Sequence, residues 1–191
     1  IDIGGRSTEM ILGRGDDPIT AESFAVGSVS LSMRHFADGK LTAEAFRAAQ
    51  VAAGAELEEA LQPFAPSKWQ EALGSSGTAG AVSQLLIAMG HADGAITPER
   101  LRALIERCIT AGHVDQLELP GLKGDRKPVI AGGLALLYTF AAQFGIERLL
   151  PAKGALRQGV IVELHERLAA QRRGDGASTS RGDRREATVR D

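Results

Sequence analysis

Three glycine-rich stretches each follow a short apolar run. They are Asp2-Ile3-Gly4-Gly5-Arg6-Ser7-Thr8-Glu9, Gly74-Ser75-Ser76-Gly77-Thr78 and Ile130-Ala131-Gly132-Gly133. Glycine lets a backbone come close to an anion because no Cβ intervenes. Amides at a turn or a helix start can then point at phosphate oxygens. The second and third stretches each read as the opening of a helix, whose dipole adds about half a positive charge there. Neither a Walker loop nor G-x-G-x-x-G is present. Taken one at a time such turns are ordinary tight corners, but three in a short chain point to a phosphate ligand. Asp2 and Glu9 lie on opposite sides of the first turn. A hairpin there brings both carboxylates to one end of a sheet. Two carboxylates beside phosphate-binding amides suit Mg²⁺, which takes few protein ligands and shares phosphate oxygens. Solvated acids at a hairpin end are the bland alternative.

Other chemistry fits less well. His35, His91, His113 and His165 lack metal-ligand spacing and read as surface or capping residues. Ser76 lacks the closing glycine of a nucleophile elbow. Cys108 shares a helical face with Leu101, Leu104 and Ile105, the pattern of a core residue. The stretch Lys123-Gly124-Asp125-Arg126-Lys127 reads as a solvated loop, although its position beside the third glycine stretch would let it help hold a polyanion.

These residues need elements to position them. Ile1–Gly4 and Thr8–Leu12 read as hairpin strands around Gly5-Arg6-Ser7. A third strand is expected over Ile19–Leu31, broken near Gly27. Apolar residues then recur at helical spacing from Thr42, a natural N-cap, to Leu61. A short strand is expected over Trp69–Leu73, and helices over Ala79–Met89 and from Pro98 to Thr110. Gly112–Lys127 reads as irregular. Val129–Ala131 reads as a short apolar run ending in a glycine turn at Gly132-Gly133, with an apolar helix behind it to Phe144. Arg148–Leu150 and Leu156–Leu168 complete the pattern as strand and helix. Strands alternating with helices after a meander make an α/β domain, antiparallel first and parallel later.

The chain has 191 residues, 43% of them hydrophobic, enough for one domain with a real core. A net charge of −2 argues against a strongly basic nucleic-acid binder, and no apolar run reaches membrane-span length. A single cysteine allows no internal disulfide and fits a cytoplasmic setting. From Arg172 onward apolar residues almost vanish, and six Arg face four acids. Residues 172–191 are expected to be a disordered tail. Its two Arg-Gly-Asp triplets follow from composition. The first residues already lie inside an expected strand, so further sequence is expected upstream of Ile1.

Five motifs occur in the order found in the exopolyphosphatase and guanosine pentaphosphate phosphatase family. Asp2-Ile3-Gly4-Gly5-x-Ser7-Thr8-Glu9 resembles that family's phosphate hairpin. Gly27-Ser28-Val29-Ser30-Leu31 resembles its G-x-V-x-L segment, read as a strand. Gly74-Ser75-Ser76-Gly77-Thr78 resembles its G-T-S-G-T loop. Val129-Ile130-Ala131-Gly132 resembles its late glycine turn, and Leu156-Arg157-Gln158-Gly159-Val160 its closing L-R-x-G. The resemblance implies a ribonuclease H-like half-domain of the actin, sugar-kinase and Hsp70 ATPase group, a mixed sheet with flanking helices over residues 1–171. It implies the second half of a two-half module, with the first half upstream.

The implied activity is Mg²⁺-dependent release of terminal phosphate from inorganic polyphosphate or guanosine pentaphosphate (pppGpp). Asp2 and Glu9 would hold the metal. Gly4, Gly5, Arg6, Ser7, Ser76, Gly77, Thr78, Gly132 and Gly133 would contact phosphate. The family's glutamate base precedes this hairpin and has no counterpart here, so the chain alone is expected to be inactive. Two departures stand out: Arg6 replaces a usual glycine and Gln158 a usual acid. Arg6 either adds a phosphate contact, fills space the substrate needs, or impairs a turn that wants positive φ. A non-catalytic phosphate-binding module is the alternative reading, and a kinase of the same fold the third. With the first half absent, a face around Asp2, Ser76 and Gly132 would lie open and invite a homodimer.

Overall fold

The expected hairpin forms at the start of the chain. β1 (Asp2–Ile3) pairs antiparallel with β2 (Thr8–Arg14), and β2 pairs antiparallel with β3 (Asp17–Phe24). The computed structural model describes residues 1–15 and 17–152, together with Ile161, His165, Leu168 and Ala169. The chain divides into two units, Ile1–Lys153 and Gly154–Asp191. The first unit holds every element named below. The expected helix over Leu156–Leu168, the L-R-x-G segment and the tail from Arg172 lie outside the residues described continuously.

The third strand stops at Phe24, short of the expected Leu31. α1 (Ser28–His35) occupies the remainder, so Gly27-Ser28-Val29-Ser30-Leu31 opens a helix. The alternation of Ser with Val and Leu reads as period two in sequence. Long-range hydrogen bonds decide otherwise. The Gly4 carbonyl accepts from the Ser28 amide at 3.0 Å, and the Gly5 carbonyl accepts from Val29 at 2.8 Å and Ser30 at 3.0 Å. Those carbonyls supply the acceptors that a helix's first amides lack. Ser30 Oγ meanwhile accepts from the Gly27 amide and donates to the Gly27 carbonyl, both at 3.0 Å.

α2 (Ala43–Glu56) starts as expected behind Thr42, whose hydroxyl accepts from the Ala45 amide. It ends earlier than expected, and a 3-10 turn over Glu58–Ala60 continues towards Leu61. The fourth strand, β4, covers Ala72–Gly74 and not Trp69–Leu73. α3 covers Ser76–Ala88, so Ser76, Gly77 and Thr78 form its first turn. α4 (Pro98–Ala111) has Pro98 in its first turn and the cap Thr97 before it.

The largest correction concerns Val129–Gly133. The expected glycine turn does not form, because α5 runs unbroken from Lys127 to Gln143 with Gly132 and Gly133 inside it. A short apolar run cannot be told from a piece of buried helix by its pattern. The pair is glycine for packing reasons. A Cβ at Gly132 would lie 2.4 Å from both the Ser28 carbonyl and Ser32 Oγ, and one at Gly133 would lie 2.8 Å from Thr78 Cγ2. The two glycines let α1 and the start of α3 close onto α5.

β5 (Leu149–Pro151) pairs parallel with β4. One parallel bridge between Asp2 and Ser75 joins the two sheets edge to edge. The spatial order is β3-β2-β1-β4-β5, antiparallel on one side and parallel on the other. α5 is the hub of the core and packs against α1, α2 and α4. Among the described residues no helix is long and apolar enough to cross a membrane.

Cys108 sits fully buried on the inner face of α4, as its helical spacing predicts. Burial pushes its thiol up to about 12. At pH 8 only about one thiol in ten thousand would then be thiolate, the reactive form. Iodoacetamide at pH 8 should leave Cys108 unmodified in the folded chain and label it fully in denaturant, as read by intact mass. Labelling at equal rates in both states would contradict the buried placement.

Candidate functional site

Gly4–Ser7 is a tight turn closed by the Gly4 amide donating to the Ser7 carbonyl at 3.0 Å. A Cβ at Gly4 would lie 2.9 Å from that carbonyl. The carbonyls of Gly4 and Gly5 face α1. Across a trans peptide the next N–H points the opposite way. The amides of Gly5 and Arg6 are therefore turned away from α1, and neither has an intramolecular acceptor among the described residues. Both residues are exposed. Gly27 makes the close approach between turn and helix feasible: a Cβ there would lie 2.5 Å from the Arg6 amide nitrogen. Neither Gly4, Gly5 nor Arg6 has positive φ. Arg6 thus sits in the turn without backbone strain, which removes one of the three readings of this residue.

The second glycine stretch is locked to the first. The Ser75 amide donates to the Ile1 carbonyl at 2.8 Å, and Ser76 Oγ donates to the Ile3 carbonyl at 2.7 Å. Ser76 has φ 63°, the only positive value at a non-glycine among the described residues. That conformation costs on the order of 1–3 kcal/mol and is held where surrounding contacts fix it. Here the Ile3 hydrogen bond does so. The cap Ser75 leaves the first amides of α3 without a side-chain acceptor. Gly77 is exposed and Thr78 buried.

Arg126 completes this end of the sheet. Its guanidinium nitrogens lie 2.9 Å from where a Cβ of Gly77 would be. Any larger residue at 77 would push the cation away. Among the described residues Arg126 forms no ion pair. In sequence Arg126 was one charge of a loop stretch, and nothing in its spacing singled it out from Lys123 or Lys127.

Asp2 and Glu9 are direct cross-strand partners, so their side chains share one sheet face. Glu9 Oε1 accepts from Ser7 Oγ at 2.8 Å and from Ser23 Oγ at 3.0 Å. Ser7 Oγ thus donates its proton to Glu9, so what Ser7 still offers a ligand is the hydroxyl's lone pairs. Ser23 was missed by sequence reasoning; its signal was the register, since it lies opposite Glu9 on β3. Gly132 and Gly133 do not belong to the exposed site. Both are buried, and the Gly132 amide is 3.2 Å from Ser32 Oγ. They act behind it, by letting α1 and α3 converge.

Residues 1–168 match the Ppx/GppA phosphatase family. A Haemophilus influenzae protein, provisionally named an exopolyphosphatase, is 41% identical over 166 residues, which are 87% of this chain and 51% of the relative. A guanosine-5'-triphosphate,3'-diphosphate pyrophosphatase of Aeromonas hydrophila is 37% identical over 86% of this chain and 33% of its own length. The chain therefore spans about half of one relative and a third of the other. Among solved structures, an exopolyphosphatase-like protein superposes with TM-score 0.70 at 21% identity, covering 87% of this chain and 59% of that one. The Aquifex aeolicus PPX-GPPA enzyme gives TM-score 0.70 at 19% identity, covering 85% and 55%. Both share the mixed α/β fold expected from the motifs.

Proposed function

The chain belongs to the Ppx/GppA phosphatase family, and on that footing we propose that its first unit is the phosphate-gripping half of a Mg²⁺-dependent phosphoanhydride hydrolase. Its substrate is inorganic polyphosphate or pppGpp, and the released product is the terminal phosphate. One observation carries this reading. The hydrogen bond from Ser76 to Ile3 sets two groups of outward amides, Gly5-Arg6 and the start of α3, at one end of the sheet. Arg126 adds a cation beside them.

Each part then has a task. The turn amides and the first amides of α3 receive phosphate oxygens and stabilise charge that grows as the anhydride bond breaks. Arg126 and Arg6 attract and orient a polyanion, through charge-assisted hydrogen bonds. Asp2 and Glu9 are oxygen donors on one face, and no cluster of three or more His, Cys, Asp or Glu forms among the described residues. That pair fits Mg²⁺, which binds through one or two carboxylates and fills its other positions with water and phosphate oxygens. Bound there, the ion would supply neutralisation of the transferred phosphoryl group. The Ser7 and Ser23 hydroxyls hold the Glu9 carboxylate in place. With Asp2 and Glu9 assigned to the metal, neither is left to deprotonate water, and in this reading the chain by itself grips phosphate without turnover.

Polyphosphate of defined length, titrated with Mg²⁺ onto this chain at several salt concentrations, tests the reading. Binding should be tighter than that of equimolar sulfate, and an Arg6→Gly exchange should weaken it about tenfold or more. The estimate follows from a charge-assisted hydrogen bond worth roughly 1.5–3 kcal/mol. The salt dependence should flatten as well. Stronger binding in Arg6→Gly would mean that the side chain obstructs. Unchanged affinity and slope would remove Arg6 from the site, and binding no tighter than sulfate would overturn the reading itself. A non-catalytic phosphate-binding module is the second reading, favoured by the exposed Arg6 at the tip of the turn.

A further inference from the structure

The hairpin register lines up one row of side chains across three strands. Asp2 on β1 pairs with Glu9 on β2, and Glu9 pairs with Ser23 on β3. Cross-strand partners share a face, with Cβ atoms about 4.5–5.5 Å apart. Glu9 is therefore flanked by a carboxylate on one side and a hydroxyl on the other. Ser7, two positions before Glu9, reaches the same group from the turn. Both hydroxyls donate to one oxygen: Ser7 Oγ lies 2.8 Å and Ser23 Oγ 3.0 Å from Glu9 Oε1. Oε2 accepts no hydrogen bond among the described residues.

A carboxylate oxygen has two lone-pair directions, and two donors on Oε1 occupy both. Oε2 is left as the oxygen open to an ion. A cation that needs both oxygens of Glu9 would first have to displace a serine proton. Cations differ in that need. Ca²⁺ takes about six to eight oxygens and often holds a carboxylate through both of its own. Mg²⁺ is smaller, demands near-octahedral geometry and is served by single oxygens from one or two carboxylates. The hydrogen bonds on Oε1 therefore oppose the binding mode of the larger ion and leave that of the smaller one intact.

We propose that Ser7 and Ser23 hold Glu9 to one-oxygen ligation through Oε2, and that this makes the Asp2–Glu9 pair select Mg²⁺ over Ca²⁺. The inference rests on the assignment of that pair to a metal under the function proposed above. Ser23 is a positioning residue here, acting through the Glu9 carboxylate and not as a ligand. Nothing in the sequence around Ser23 marks it, and its role comes from its register on β3. Ser23 is exposed, so its hydroxyl can be removed without opening a cavity in the core.

Mn²⁺ alone, added to the full chain, is the probe. In an amide nitrogen–proton spectrum it should broaden Asp2 and Glu9 first. Mg²⁺ or Ca²⁺ is then titrated in to reverse the broadening, and the ratio of the two midpoints is the cation preference. No phosphate and no turnover are needed. In the unaltered chain Mg²⁺ should displace the probe at the lower concentration. Ser7→Ala combined with Ser23→Ala should move the ratio towards Ca²⁺ by about fivefold or more, the change that one net hydrogen bond brings. Ser23→Ala alone should give part of that shift, and Ser23→Thr, which keeps the hydroxyl, none. The same spectra report whether each variant is folded. An unchanged ratio in the double variant would overturn the proposal. So would an equal loss of affinity for both cations, the mark of a purely structural role, or a preference for Ca²⁺ in the unaltered chain. If the Asp2 and Glu9 amides stay sharp in Mn²⁺, the metal assignment itself fails and takes the proposal with it.

Discussion

Replacing Gly132 by alanine is expected to destabilise the first unit by about 2 kcal/mol, although alanine is the better helix former. In a helix interior the exchange favours alanine by about 0.8–1.0 kcal/mol. Opposing that gain is a Cβ placed 2.4 Å from the Ser28 carbonyl and Ser32 Oγ, and 2.7 Å from the Ser32 amide nitrogen. Two of those atoms are backbone. Ser32 Oγ alone could rotate away, but doing so abandons the Gly132 amide. Overpacking of a close helix contact costs about 1–3 kcal/mol, and backbone obstruction puts this case at the upper end. Tm should fall by roughly 4–8 °C. Gly80→Ala is the control. Gly80 also lies inside a helix, α3, but nothing stands within 4 Å of its missing Cβ. There the propensity term acts alone, and stability should rise by about 0.5–1 kcal/mol. Thermal melts of both variants decide it. Two shifts of the same sign would show that α1 does not lie as close to α5 as described.

The same glycine marks where sequence and structure part. Gly4 to Ser7 was legible because a turn between two short apolar strands is local chemistry, and the register of Asp2 against Glu9 followed from it. Thr42 and Thr97 were legible for the same reason, as caps next to the amides they accept from. α1 was not, since its first amides bond to carbonyls some 25 residues earlier. Nothing within Ser28–Leu31 records that. Gly132 and Gly133 looked like a phosphate turn because a glycine pair required by a helix crossing is spelled the same way as one required by an anion. Arg126 was visible only as a charge. Its value to the site comes from Gly77, fifty residues away, which leaves room for the guanidinium. What the sequence carried was the order of motifs that resembles the family's, and the family match spans residues 1–168.

Incubated with Mg²⁺ and polyphosphate, the chain is expected to release phosphate no faster than the uncatalysed background. This follows from the division of labour proposed for the site. Outward amides and two arginines can hold a phosphate chain, and they can stabilise charge in the transition state. Neither task removes the proton from an attacking water. Glu9, whose carboxylate is tied to the turn through Ser7, is fastened by two serine hydroxyls and faces the same side as Asp2. A positioned general base is worth about 10²–10⁴-fold in rate, and its loss alone puts release near background. Alignment of the substrate between two opposing surfaces adds a further, separate factor that one surface cannot supply. The measurement is phosphate released per chain, beside a full-length relative under the same conditions. Binding must be measured in parallel, because an unfolded chain would also be silent. Retained binding with background release supports a gripping half. Release within tenfold of the relative would show that the base lies among these 191 residues, and Glu9 would be the first carboxylate to exchange for glutamine.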